Sequence, residues 1–164
     1  MTRRFPLLVL IGAVLVGRGA FAAEPADSAF ERLRSLAGDW EAKTPKGGTL
    51  RVSYRLTSRD SVLVETWAPG TRSETLTVYH LDGRSLLATH YCAQGNQPRL
   101  ALKSAGTAGY VFEFRDATNL ASPAASHLSR LRIELVDSDH FVEEETYAEG
   151  GKEDTSLLRF ARVK

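Results

Sequence analysis

Apolar and polar residues alternate with a period of two along most of the chain after residue 40. In residues 50–56 the even positions are apolar, and in residues 131–135 the odd positions are apolar. Such alternation predicts strands that bury one face. Turn-forming pairs such as Asp82-Gly83 and Gly150-Gly151 separate the segments. The predicted strands are a first one that opens at Trp40, followed by residues 50–56, 61–67, 74–81, 85–92, 99–104, 110–115, 130–135, 141–147 and 155–163.

About ten short strands joined mostly by tight turns indicate an antiparallel meander, which forms either a barrel or a sandwich. Because closure removes exposed strand edges, we predict an all-β fold, an antiparallel up-and-down β-barrel of about ten strands. Before it, Ser28 and Glu31 have the spacing of a capping box. Phe30, Leu33 and Leu36 follow at helical spacing. We therefore predict one short N-terminal helix of about ten residues that covers an end of the barrel.

Residues 1–22 have the pattern of a signal peptide. Arg3 and Arg4 are followed by an apolar run over residues 5–17 and by the small-x-small site Ala20-Phe21-Ala22. The alternative is an uncleaved membrane anchor, but the apolar run is short for a span. We predict export to the periplasm or the medium and a mature barrel domain of residues 23–164. No stable membrane span is expected after cleavage.

The charge balance of the chain argues against a nucleic-acid partner. Its 164 residues include 21 Lys and Arg and 20 Asp and Glu, for a net charge of +1, with no long basic run. A single cysteine, Cys92, cannot form an internal disulfide, and free cysteines are usually buried. The sequence leaves the oligomeric state open.

Residues 85–99 bring together more reactive side chains than any other stretch. Asn96 and Arg99 follow the end of a predicted strand, where they are placed to line the barrel mouth and bind a carboxylate or an amide. The alternative is a tight turn whose amides bond to their own backbone. His90 and Cys92 share one face of their strand, but two ligands are too few for zinc. We therefore predict no metal site and no cofactor.

Glu65 is an acidic residue inside an apolar strand. It has the same parity as Leu63 and Trp67, so it faces inward if they do. An inward carboxylate needs a partner, and the sequence offers Arg99 or Tyr54. Such a group either acts as a general base with a raised pKa or belongs to a buried polar pair that fixes the register.

Residues 143–145 form a run of three glutamates after the turn at residues 137–139. A loop of two or four residues would place Arg130 and Arg132 on one face with Glu143 and Glu145. A loop of three residues would place Glu144 opposite the arginines instead. We expect the first arrangement on the outer face, and in either case a solvated acidic surface.

Gly38-Asp39-Trp40 resembles the Gly-x-Trp motif of lipocalins and other calycin barrels. The resemblance implies that the tryptophan closes one end of the barrel beneath an arginine of the last strand, Arg159 or Arg162. The segments TVYHLDG (77–83), THYC (89–92), GNQPR (95–99) and DATNL (116–120) resemble an uncharacterised bacterial calycin-like family. That likeness runs from Phe30 to Lys164 and implies a fold but no established activity. Nitrobindin-type haem barrels are similar in architecture, but their ligand histidine comes late, and the last strand here has none.

We therefore expect an exported lipocalin-like barrel that binds a small hydrophobic or amphipathic molecule in its interior. One alternative is an enzyme that uses Glu65 or His90 as a general base. Another is a filled barrel that works through its outer face. The predicted ligand-binding residues are Tyr54, Glu65, His90, Asn96 and Arg99, against an apolar wall of Leu50, Val52, Leu131 and Ile133.

Overall fold

Ten antiparallel strands close into one barrel in the computed structural model, which describes residues 25–106 and 109–164. Each strand pairs with its neighbours in sequence, and β1 completes the ring against β10. The predicted up-and-down barrel of about ten strands is confirmed. The expected signal peptide, residues 1–22, lies outside the described residues. The strands are β1 Gly38–Lys43, β2 Thr49–Thr57, β3 Val62–Trp67, β4 Thr75–Asp82, β5 Ser85–Tyr91, β6 Gln97–Gly106, β7 Gly109–Thr118, β8 His127–Leu135, β9 His140–Glu149 and β10 Lys152–Arg162.

A short helix, α1 (Ala26–Leu33), precedes β1 and continues into a 3-10 turn, Arg34–Leu36. The predicted capping box is wrong, because Ser28 lies inside the first turn. The helix begins just after Pro25, whose carbonyl accepts from the Ala29 N–H at 3.0 Å. Pro25 has no N–H of its own and therefore fits the start of a helix. Among the described residues, no helix has the length and apolar character needed to cross a membrane.

The helix and Trp40 cover one end of the barrel, called the closed end below. The Trp40 indole N–H donates to the carbonyl of Leu36 at 2.7 Å, and the Arg162 guanidinium lies 4.0 Å above the centre of the indole. Arg162 also donates to the carbonyls of Ser35 and Ala37. Of the two arginines expected over Trp40, it is therefore Arg162 that fills this position. Gly38 has φ +142°, and a Cβ there would lie 2.4 Å from Arg162 Nη1, so only glycine fits.

The register between β8 and β9 turns two glutamates into the barrel. Leu131 is opposite Glu145, and Arg132 is opposite Glu144. The loop has three residues, because the N–H groups of residues 136 and 137 both bond to the carbonyl of residue 140. The predicted outward position of Glu143 and Glu145 is therefore wrong. The expectation that residues 143–145 form a solvated face is also wrong, because Glu143 is only 2% exposed.

The two halves of the barrel interior differ in packing. The closed half is filled by aromatic and aliphatic side chains, among which Phe141 stacks on Phe160 with ring centres 4.7 Å apart. The other half ends at the β9–β10 turn, where the barrel's open end lies. There the first two-thirds of β10 pairs with β9 alone, because β1 pairs only with Phe160, Ala161 and Arg162.

This gap between β10 and the β1–β2 turn is called the seam. A cavity of about 380 Å³ opens at the seam, lined by Lys43 and Leu158 among others. Ser156, which faces inward by the alternation of β10, is exposed to solvent. Water therefore reaches the open half of the interior.

Candidate functional site

Three glutamates face the middle of the barrel interior and are called the acid cluster below. Glu65 comes from β3, and Glu143 and Glu145 come from β9. Strand alternation aims all three inward, together with Leu63, which is fully buried like Glu65. Glu145 is partly exposed, and the exposed Ser156 is directly opposite it on β10. Solvent thus reaches Glu145 from the open half, whereas Glu65 and Glu143 lie deeper.

Hydrogen bonds from aromatic side chains hold the two deeper carboxyl groups. The Tyr79 hydroxyl donates to Glu65 at 2.6 Å, and the Trp67 indole N–H donates to the other oxygen of Glu65. The Tyr54 hydroxyl donates to Glu143 Oε2 at 3.0 Å. Glu65 and Glu143 also lie close enough for the charge of Glu65 to act on Glu143. Within the described part of the chain, no N–H or O–H group donates to Glu143 Oε1.

Burial and mutual repulsion make this cluster reluctant to ionise. Burial raises the pKa of Glu143 well above its ordinary range, and the charges of Glu65 and Glu145 raise it further. Burial and the charge of Glu65 raise the pKa of Glu145 to about 8. Burial also raises the pKa of Glu65, but hydrogen bonds from Tyr79 and Trp67 oppose that rise. Of the three carboxyl groups, Glu65 therefore has the hydrogen-bond donors that most favour its ionised form.

Among the residues described, no cationic side chain pairs with the acid cluster. None of the ion pairs found in the barrel involves Glu65, Glu143 or Glu145. Burial also raises the pKa of Tyr54 and of Tyr79 far above their ordinary values, so both hydroxyl groups keep their protons and remain donors. The acid cluster is thus a group of three carboxyl groups with no ion-pair partner among the described residues.

His90 lies next to the acid cluster, toward the open end. Its Nδ1 lies 3.0 Å from Thr77 Oγ1, and its Nε2 lies 3.2 Å from the Tyr147 hydroxyl. The side chain is 2% exposed, and burial lowers its pKa to about 4. The imidazole is therefore neutral at neutral pH.

Tyr147 connects this histidine to the barrel mouth. It lines a cavity of about 530 Å³ at the open end, together with Gln94, Ser126 and the acidic Glu149. Its hydroxyl also bonds to Cys92, which is partly buried. Burial, the charge of Glu145 and the contact with Cys92 raise the pKa of Tyr147. A molecule in the mouth cavity thus meets a protonated phenol backed by a neutral imidazole.

The structure separates the five predicted ligand-binding residues into three places. Tyr54, Glu65 and His90 lie together in the interior. Asn96 is 5% exposed at the open end, where its side-chain N–H donates to the carbonyl of Ser126 at 2.9 Å; no described residue donates to its Oδ1. Arg99 points outward, and its Nε donates to Asp116 at 2.5 Å.

The expected contact between Glu65 and Arg99 is therefore not formed. Strand alternation in β6 turns Leu100 inward and Arg99 outward. Tyr54, the other partner proposed for Glu65, instead donates to Glu143. Glu65 finds its own donors on the side chains of Trp67 and Tyr79.

Sequence reasoning missed Glu143, Glu145 and Tyr147 as interior residues. One signal for them was present, because any run of three acids on a barrel strand must turn at least one acid inward. Tyr79 and Trp67 also occupy odd positions, as Glu65 does, and each carries a group that can donate to an inward carboxylate. Among the described residues, no group of three or more histidine, cysteine, aspartate or glutamate side chains is arranged to hold a metal ion.

Comparison of the sequence with protein-family models and with curated proteins gives no match. The structure itself defines the architecture: a closed antiparallel barrel of ten strands with one short helix across its closed end.

Proposed function

We propose that the mature protein is an exported, lipocalin-like barrel that binds a small, partly apolar molecule in the open half of its interior. The observation that carries the proposal is the solvent exposure of inward-facing side chains there. Ser156 is exposed and Glu145 is partly exposed, although both face the inside of a closed ring. A barrel filled throughout would bury both.

The open half offers a wall suited to an amphipathic molecule. Leu50, Trp67 and Leu158 are partly exposed apolar residues that pack against the core. Glu145 and Tyr147 supply polar groups on the facing strand β9. Sites of this kind, with an apolar wall and a few polar groups, are typical of barrel mouths. An apolar body would lie on the wall, and a polar head would contact β9.

Export and kinship with calycin barrels belong to the same proposal. The sequence pattern of residues 1–22 supports export. The stacking of Arg162 on Trp40, next to a glycine whose positive φ disfavours any side chain, supports the kinship.

The geometry favours binding over general-base catalysis. Both oxygens of Glu65 accept hydrogen bonds from the protein, and both ring nitrogens of His90 are engaged by Thr77 and Tyr147. A general base must lie within hydrogen-bond reach of its substrate. Both residues are buried, with Glu65 fully buried and His90 only 2% exposed.

A native mass spectrum of the mature protein purified from its exported compartment tests the proposal. We expect an extra mass that is lost on denaturation. Ser156→Trp places an indole inside the open half and should abolish the extra mass. Arg51→Trp places the same ring on the outer face of β2 and should retain it.

A neutral fluorescent probe, N-phenyl-1-naphthylamine, provides the second measurement. We expect saturable enhancement of its fluorescence with the wild type and with Arg51→Trp, and none with Ser156→Trp. A bare native mass together with no saturable probe binding would refute the proposal and favour a filled barrel.

A further inference from the structure

We infer that the ligand carries a basic nitrogen and that its ammonium group binds between Glu145 and Glu143. This inference names the ligand class for the interior site and so rests on the proposed function. Two separate observations support it. The acid cluster has no cationic partner among the described residues, and one buried acceptor has no donor.

The charge observation concerns the whole open half. The acid cluster has no ion-pair partner among the described residues, as stated above. The mouth cavity adds Glu149, Glu153 and Asp154 against the single cation Lys152. The acids of the mouth are exposed and screened by water, whereas the acid cluster lies among buried side chains, where a field acts more strongly on a cation. An anionic ligand would be repelled at every depth.

The second observation is Glu143 Oε1. This oxygen belongs to a side chain that is 2% exposed, and no N–H or O–H group of the described residues donates to it. A donor that enters the barrel would satisfy it. Asn96 Oδ1, nearer the mouth, is a second buried acceptor without a donor. Orphan acceptors select a ligand that donates hydrogen bonds.

The spacing favours an organic ammonium ion over a metal ion. Glu143 and Glu145 are two residues apart on one face of β9, so their Cα atoms are separated by roughly 7 Å. At that spacing one ammonium group between the two side chains can donate to both carboxyl groups. No cluster of the described residues is arranged to hold a metal ion. The partly exposed Trp67 adds an aromatic surface that is favourable to a cation.

Ammonium binding releases a proton from the acid cluster. The ammonium brings one positive charge to carboxyl groups that hold protons at neutral pH, and it replaces one of those protons. The titratable groups that interact with the charge of Glu145 are Glu65, Glu143, Tyr79 and Tyr147, of which the two tyrosines stay protonated. His90, which contacts Tyr147, stays neutral. Affinity for the ammonium therefore rises with pH, by up to about tenfold per pH unit below the pKa of the cluster.

Three probes of similar size and different charge test the inference: 2-phenylethylamine, 2-phenylethanol and phenylacetate. Each competes with N-phenyl-1-naphthylamine for the mature protein at pH 7.5. We expect the amine to compete at least tenfold better than the alcohol, and phenylacetate not to compete. Calorimetry of the amine in phosphate and in Tris should give binding enthalpies that differ by the heat of taking up the released proton.

Glu145→Gln should weaken amine binding at least tenfold relative to the affinity of the same variant for the neutral probe. Glu144→Gln, one residue away on the outer face, should change neither. Competition by the alcohol or by phenylacetate equal to that of the amine overturns the inference, and so does a Glu145→Gln variant that binds the amine as the wild type does. Failure of all three probes while the fluorescent probe still binds also overturns it. These results leave the proposed function intact, whereas loss of fluorescent-probe binding by the wild type removes the proposed function itself.

Discussion

Replacing Glu145 with glutamine should flatten the dependence of folding stability on pH. The folded protein holds a proton on Glu145 up to a pKa of about 8, whereas a glutamate in the unfolded chain loses it near its ordinary value of 4.5. Between these two values the folded state binds more protons than the unfolded state. Stability therefore falls as pH rises through this window.

The range from pH 6.5 to 8 separates this effect from that of His90. Below pH 6.5 the buried His90 acts in the opposite direction, because its pKa of about 4 in the folded state makes stability fall as pH decreases. Over 1.5 pH units, a single retained proton accounts for at most about 2 kcal/mol, at roughly 1.4 kcal/mol per unit. Because Glu145 is partly exposed, we expect about 1–2 kcal/mol.

Urea unfolding followed by tryptophan fluorescence measures this difference, since urea adds no charge and both Trp40 and Trp67 contact the core. The wild type should lose about 1–2 kcal/mol more than Glu145→Gln between pH 6.5 and 8. Glu144→Gln, opposite Arg132 on the outer face, should follow the wild type. Equal slopes for the wild type and Glu145→Gln would show that Glu145 is ionised in the folded barrel, and the argument from burial would be wrong.

Three further predictions concern the closed end and the interior histidine. Gly38→Ala should lower the free energy of unfolding by about 2–3 kcal/mol, since its Cβ would meet Arg162 and its φ is positive; Gly150→Ala, with no atom within 4 Å, should cost about 1 kcal/mol. Arg162→Lys should lower the free energy of unfolding, measured by thermal unfolding, by about 1–3 kcal/mol, because the guanidinium hydrogen bonds and the stacking on the indole are lost. A cost no greater than that of Arg159→Lys, at an exposed position, would contradict this arrangement of the closed end. Nitrogen NMR of the His90 ring should show a neutral imidazole that titrates at about pH 4, and a midpoint near 6.5 would show that the ring is hydrated.

Local patterns predicted most of the fold. Alternation of apolar and polar residues is a property of single strands, so each strand can be recognised alone. The predicted hairpin at Asp82-Gly83 forms, but Asp82 pairs with Ser85, so the two turn residues are Gly83 and Arg84. The pairing of Trp40 with an arginine came from the Gly-x-Trp resemblance and not from periodicity. The predicted start of the helix at Ser28 was wrong because the helix begins directly after Pro25.

The acid cluster could not be predicted because strand parity depends on one loop residue. Attraction between Arg130, Arg132 and the glutamates of β9 favoured the wrong register, and the three-residue turn reversed it. A one-residue change moves every side chain of a strand to the other face. The parity of β3 allows Glu65 to face inward. The side chains around its carboxyl group, however, come from β3, β4 and β9. Such contacts depend on how the whole ring closes.

The seam also has a kinetic consequence. Strands β1 and β10 join the two ends of the folded chain through only three residue pairs. Contacts between distant parts of a chain form late in folding, and sparsely bonded segments open with less free energy than the whole domain. We therefore expect the amide protons of β10 between residues 152 and 159 to exchange with solvent faster than those of β4 and β5. The same opening would set the rate at which a bound molecule enters and leaves, independently of how tightly the interior holds it.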